Sequence, residues 1–361
     1  MLIAGDDYPI HQTPEPLARP ATSDPNHYDR YFFNGATADG SLVFGLALGL
    51  YPNRQVIDGA FSVVVDSEQV SVHASARCPS DRATAVGPIT VVIVEPLRVL
   101  RVLVDAEAQG LRADLTFTAR TRPVEEPRFV HRDADRVVFD YTRMTQWGAW
   151  EGWVEVDGRR TAVTPEVVRG CRDRSWGVRP VGERTGGAPG PAPQFFWLWA
   201  PVGFDDVCVH FASNEEADGT PWHRSGFLVP VGDRSPEAMA ATAHRVEWRP
   251  GTRRAARAEI DLVPAEGEPL TMHLEPLLEF QMAGLGYLHP EWGHGVWRGE
   301  AAEGGERWPL PAADPLAFDR LHVQALCRAT LGERTGWGLL EQLVIGPYEP
   351  GGLTGLADGA R

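Results

Sequence analysis

The feature that most limits what this chain can fold into is a series of short apolar runs, each closed by a turn signal, with almost no helical periodicity between them. Residues 42–51 are stopped by Pro52 and Asn53, and residues 59–66, 70–74, 89–95 and 98–104 repeat the pattern with valine, isoleucine and leucine. β-branched and aromatic runs bounded by turn residues mark strands. Residues 111–120 alternate apolar and polar side chains, as a strand with one buried face does. Asp157-Gly158, just after residues 152–156, is a strong hairpin signal. The second half has the same character, with strand-like runs at 195–200, 206–211, 225–230, 244–248, 256–262, 270–280, 321–330 and 338–346. The best helix candidate is short, residues 235–243, where Ser235 would cap and Pro236 would take the first helical position. The expected class is therefore all-β and antiparallel.

A length of 361 residues suits two domains. The glycine- and proline-rich residues 182–193 cannot hold a regular element and are the expected break. This divides the chain into an extended arm (1–30), a first β domain (31–187), a second (188–350) and a tail (351–361). Two all-β halves suggest two barrels or closed sandwiches in tandem, between which the pattern does not choose.

A formal charge of −15, without any Lys/Arg-rich block, argues against nucleic acid and anionic membranes as partners. No apolar run approaches about 18 residues, so no membrane span is expected. The start, Met1 to Asp7, turns acidic at once and does not read as a secretory signal. Cys78, Cys171, Cys208 and Cys327 form no C-x-x-C pair, so neither a zinc knuckle nor a dithiol motif is visible, and free thiols in a reducing cytoplasm are expected.

Chemistry concentrates in three stretches. Gly170 to Arg179 packs Arg172, Asp173, Arg174, Arg179, Ser175 and Trp176 between glycines. Guanidiniums this close repel unless anions or aromatic faces share them, and Asp173 and Trp176 offer one of each. The stretch reads either as a site or as a buried Asp–Arg latch. Gly284 to Gly295 holds Tyr287, His289, Glu291, Trp292 and His294. Histidine titrates near neutrality and glutamate can be tuned toward it, so this set can move protons. Pro290 and Gly293 oppose a helix, the His-x-Glu-x-x-His order is not the helical metal pattern, and no metal is assigned. Trp147, Trp150 and Trp153, with Trp197 and Trp199 further on, supply aromatic walls for a pocket or a core. No G-x-G-x-x-G, phosphate loop or G-x-S-x-G elbow occurs, so no cofactor is expected.

Arg172-Asp173-Arg174-Ser175-Trp176-Gly177, following a Trp-rich strand and the Asp157-Gly158 turn, resembles the AttH and hydroxyneurosporene synthase (carotenoid 1,2-hydratase) superfamily. That family usually reads Asp-His-Ser-Trp-Gly; here Arg174 stands in place of the histidine. The later run Gly286-Tyr287-Leu288-His289-Pro290-Glu291-Trp292-Gly293-His294-Gly295 resembles bacterial members of the same group. The resemblance spans about residues 28–347. It implies two lipocalin-like (calycin-type) barrels and cofactor-independent chemistry on apolar terpenoid, steroid or aromatic molecules, by hydration, elimination, isomerisation or cyclisation. On this reading Asp173, His294, His289 and Glu291 are catalytic. Arg172, Arg179, Trp147, Trp150, Trp176, Trp197, Trp199, Tyr287 and Trp292 bind substrate. The alternative is a carrier or sensor that binds a lipophilic ligand unchanged; a homodimer is left open.

Overall fold

A computed structural model describes residues 2–183, 186, 190 and 192–361, so the expected boundary at 187/188 lies outside the described residues. The described residues form two antiparallel sheets of 14 and 10 strands. Among the described residues no helix is long and apolar enough to cross a membrane. All four cysteines are free.

In the first sheet the strands His27–Thr37, Val43–Tyr51, Val56–Val65 and Glu68–Arg77 run as a meander. A second meander joins Ile89–Glu95, Val99–Ala106, Leu111–Ala119 and the 21-residue strand Arg136–Val156. Val168–Val178 lies between His27–Thr37 and Arg136–Val156 and ties the two meanders together. The hairpin after Val156 forms at Asp157 and Gly158, both at positive φ (49° and 77°), the conformation that Asp-Gly turns favour.

The sheet curls round one apolar interior, in which Phe33, Phe44, Phe61, Phe117 and Trp150 pack with residues from both meanders. The second sheet is ordered Pro221–Pro230, Val207–Glu215, Phe195–Trp199, Arg334–Ile345, Val323–Leu331, Leu270–Gln281, Ala255–Val263 and Ala241–Trp248. It encloses its own interior around Phe196, Leu198, Phe211, Ile260, Met272 and Leu340. Both interiors are lined by buried apolar side chains from several strands. A third apolar cluster, including Phe32, Trp147, Trp197, Trp199, Phe280 and Leu343, lies between the two sheets and joins them.

Two details differ from the sequence reading. Residues 235–243 are not helical: Glu237–Ala238 pairs with Pro221–Pro230, and Ala241–Trp248 is a strand whose exposure alternates residue by residue. A period of two, with an unpaired neighbouring strand to hydrogen-bond, prevails over the capping signal of Ser235-Pro236. The strand Ala301–Pro309, from the second half of the chain, pairs with Glu68–Arg77 at the edge of the first sheet.

Candidate active site

Strand alternation sends two sets of side chains in opposite directions. On His27–Thr37, Tyr31 and Phe33 enter the first interior, whereas Tyr28 and Arg30 face the second sheet. On the neighbouring strands Asp173, Ser175, Tyr141 and Arg143 share that outward face. The register places Ser175 between Arg30 and Arg143, and Asp173 between Phe32 and Thr145. Gly177 adopts φ 137°, and a Cβ there would lie 2.4 Å from the Asp140 carbonyl oxygen, so the glycine of the Arg-Ser-Trp-Gly motif is a backbone requirement. Trp197, His322, Glu341 and Leu343 approach from the second sheet, and Tyr287, His289 and His294 from the loop after Leu285. Together they line a cavity of about 460 Å³. Its size and its mixture of aromatic and polar walls suit a small organic molecule.

Asp173 is 8% exposed and lines this cavity. Burial pushes its carboxyl up to about 6, against the pull of the Arg143 and Arg30 guanidiniums. Among the described residues no hydrogen bond or ion pair reaches that carboxyl. Its charged neighbours are differently placed. Arg143 grips Glu126 bidentately (Nε–Oε1 2.7 Å, Nη2–Oε2 2.8 Å), and Glu126 also accepts from Thr145 Oγ1 at 2.8 Å. Burial raises the Glu126 carboxyl, but Arg143 and His210 outweigh it and hold it far below the usual carboxylate range. Glu341 accepts from Trp197 Nε1 and His322 Nε2, both at 2.8 Å, and from Gln324 Nε2. These two glutamates are therefore occupied; Asp173 is not.

His294 sits between two guanidiniums. Its Nε2 is 2.8 Å from the Leu285 carbonyl oxygen, which can only accept, and 2.9 Å from Arg30 Nη2, which can only donate; since Nδ1 faces two guanidinium donors, the proton belongs on Nε2, and Arg30 Nη2 there meets an N–H rather than an acceptor. Nδ1 is then left to accept from Arg30 Nη1 at 3.2 Å and Arg179 Nη2 at 3.4 Å. Burial first, then Arg30 and Arg179, drive the ring's pKa well below its ordinary value, so it stays neutral. The guanidiniums lie over tyrosine rings, Arg30 4.5 Å from Tyr287 and Arg179 4.6 Å from Tyr28. Burial raises the hydroxyls of Tyr28 (to about 12), Tyr141 and Tyr287, which keeps them protonated donors.

The other residues singled out from the sequence are dispersed. The Asp–Arg latch does not form. Arg172 points to Gln146 Oε1 (2.9 and 2.7 Å), Arg174 binds Asp29 and the Arg30 carbonyl, and Arg179 meets His294. The reason is alternation: Arg172 and Arg174 project to the opposite face of the strand from Asp173. Trp197 lines the cavity, and Trp147 and Trp199 are buried between the sheets. Trp150 is in the first interior, its Nε1 donating to the Asn34 carbonyl at 2.8 Å. Trp176 is 43% exposed. Trp292 stacks on His73. Glu291 is exposed and paired with Arg298.

His289 lines the cavity, yet both its nitrogens are engaged: Nδ1 accepts from the Glu291 and Trp292 amides, which leaves Nε2–H to donate to Glu306 at 2.8 Å. His289, Glu291 and His294 thus form no ligand set. His73, His289 and Glu306 do bring potential ligand atoms within 4.8 Å of one another. The two amides aimed at His289 Nδ1 fix the proton on Nε2, the atom that would have to bind a metal, so the three do not fit one.

Tyr28, Arg30, Arg143, Glu126, His322 and Glu341 were not singled out from the sequence. The readable signal was a charge inside an apolar strand, as with Glu341 between Leu340 and Leu343, or Arg143 within the strand that leads into Trp147.

A model of a family of unknown function, DUF8625, matches residues 2–354. No curated protein sequence matches the chain. Among solved structures, a putative AttH of Nitrosomonas europaea is similar with a TM-score of 0.53 and 12% identity, covering 93% of this chain and 98% of that one. Kievitone hydratase of Nectria haematococca is similar with a TM-score of 0.53 and 12% identity, covering 87% and 88%. At such identity the likeness is one of fold, and it agrees with the AttH resemblance carried by the Arg-Asp-Arg-Ser-Trp-Gly motif. The chain belongs to the DUF8625 family and has the AttH-type arrangement of two lipocalin-like barrels.

Proposed function

We propose that this protein is a small-molecule enzyme that adds or removes water, or shifts a double bond, by proton transfer from Asp173. The observation that carries this reading is a cavity-lining carboxyl, 8% exposed, without a protein hydrogen-bond partner and pushed up to about 6. Such a group is protonated in a useful fraction near neutrality and surrenders its proton readily, the balance general acid–base catalysis needs. Glu126 and Glu341 are held low by dedicated donors; Asp58 is raised to about 6 as well, but it accepts from the Gly295 amide and the Tyr51 hydroxyl and does not line the cavity, so the open, cavity-facing carboxyl is that of Asp173. A kievitone hydratase among the similar folds fits this class of chemistry.

The surroundings favour one electronic course. Arg30, Arg143 and Arg179 line the cavity, beside the hydroxyls of Tyr28, Tyr141 and Tyr287. Guanidiniums and phenolic O–H donors stabilise negative charge developing on oxygen and oppose a carbocation. The reading is therefore hydration or dehydration next to a carbonyl, through an enol or enolate. In hydration the Asp173 carboxylate takes a proton from the attacking water as the C–O bond forms, and the resulting acid delivers it to the enolate carbon; in dehydration the carboxylate takes the carbon-bound proton and returns it to the hydroxyl, which leaves as water. Trp197, Leu343 and Phe139 supply apolar wall.

The test is incubation of the enzyme with aromatic and terpenoid α,β-unsaturated ketones in ¹⁸O-labelled water, followed by mass spectrometry. Addition of labelled water by the wild type, reduced about 10²–10⁴-fold in Asp173→Asn, is the expected result. Ligands that bind and return unlabelled and unchanged would make the protein a carrier.

A further inference from the structure

The two guanidiniums around His294 lack what Arg143, the third arginine lining the cavity, has. Arg143 has Glu126. Arg30, 1% exposed, and Arg179 form no ion pair with any carboxylate among the described residues. Each retains a buried Nε–H without a partner. Their shared polar neighbour is the neutral His294 ring, which accepts hydrogen bonds but carries no countercharge. Tyr287 and Tyr28 offer ring faces, which attract cations but leave their in-plane N–H donors free. Two cations sharing one neutral imidazole in a buried wall repel each other, and Asp58, a buried carboxyl on which both act electrostatically, takes its hydrogen bonds from the Gly295 amide and the Tyr51 hydroxyl and pairs with neither guanidinium. Buried donors without partners are costly, and a ligand oxyanion removes that cost for both guanidiniums at once.

From this pairing we infer that Arg30 and Arg179 form an anion subsite that receives a planar oxyanion, a carboxylate or enolate, on an otherwise apolar substrate. His294 is a positioning residue: its Nδ1 holds the two guanidiniums at one point of the wall, and its Nε2–H, tied to Leu285, sets the ring's orientation. The inference rests on the proposed function in so far as it names the substrate class for the same cavity: apolar, with one delocalised negative charge. The charge preference belongs to binding and does not require turnover.

It is tested by isothermal titration calorimetry with 2-naphthoate and 2-naphthamide, which share a skeleton and differ in charge, on the wild type and on Asp173→Asn, Arg30→Met, Arg30→Lys and Arg179→Met. Circular dichroism checks each fold. The wild type and Asp173→Asn are expected to bind naphthoate at least about tenfold more tightly than naphthamide, the effect of one charge-assisted bidentate contact. Arg179→Met and Arg30→Met should bring the two affinities together by weakening naphthoate alone, with Arg30→Lys intermediate. If Arg30→Met does not fold, Arg179→Met and Arg30→Lys carry the comparison. Wild type that fails to bind naphthoate, binds both probes equally, or keeps its preference in the arginine variants overturns the subsite. A preference that survives in Asp173→Asn, alongside unchanged turnover in that variant, would instead overturn the role of Asp173 and leave the subsite standing.

Discussion

Two interiors of this molecule are built from the same strands and have opposite contents. The inward face of the first sheet packs Phe33, Phe44, Phe61, Phe117 and Trp150 in edge-to-face and tilted contacts, and the one indole N–H among them is satisfied by a carbonyl. The outward face of the same strands carries Tyr28, Arg30, Tyr141, Arg143 and Asp173 toward a cavity. One residue's shift along His27–Thr37, from Tyr31 to Arg30, separates a dry core from a charged wall. The lesson is that the charged cavity lies in the gap between the two sheets rather than inside either apolar interior. The outward wall divides again: Arg143 with Glu126, and Glu341 with His322, are closed networks, whereas Asp173 and the Arg30–Arg179 pair are open.

The comparison can be broken most forcefully at its closed end. Glu126→Ala leaves Arg143 buried beside Trp197 and Trp199 without its countercharge. It should cost about 3–5 kcal/mol, read as a fall in denaturant midpoint. A loss below about 1 kcal/mol would show that this network is no more closed than Asp173's surroundings.

At the open end the sign reverses. The folded pKa of Asp173 is raised, so the native state resists its ionisation: the penalty is absent below about pH 4 and grows as pH rises through about 6. Asp173→Asn should therefore stabilise the fold by about 1–3 kcal/mol at pH 7.5 and by nothing measurable near pH 4. A variant less stable than the wild type at pH 7.5 would mean that the carboxylate is used structurally.

The smallest effect belongs outside both regions. Glu291→Gln removes an exposed partner of Arg298 and should change stability by less than about 1 kcal/mol and turnover by nothing detectable. A lost activity would place the loop's acid in the chemistry after all.

Much of the architecture was legible because strand periodicity and turn chemistry are local. The Asp157-Gly158 hairpin needed only two residues with access to positive φ. The site was legible in fragments. Asp173, Arg179, Tyr287 and His294 stood out through local density, and all line the cavity. Arg172, Trp176 and Glu291 stood out for the same reason and do not: density along a strand says nothing about which face Arg172 or Trp176 takes, and the exposed loop residue Glu291 turns to Arg298. Tyr28 and Arg30 lay in what read as an arm, three residues and one residue before the first apolar run at Tyr31, although the strand begins at His27. Glu126 was invisible because its meaning comes from Arg143 and His210, partners 17 residues away on a neighbouring strand and on the other sheet.

The central claim is that Asp173 holds its proton up to about pH 6, well above the ordinary aspartate range, because burial outweighs the arginines beside it. Carbon-13 NMR of aspartate-labelled protein, titrated between pH 3 and 8 and assigned by difference against Asp173→Asn, measures this without a substrate. The account predicts a carboxyl resonance that titrates near 6 and vanishes in the variant. A missing resonance that titrates instead near the ordinary aspartate value of about 4 would contradict it.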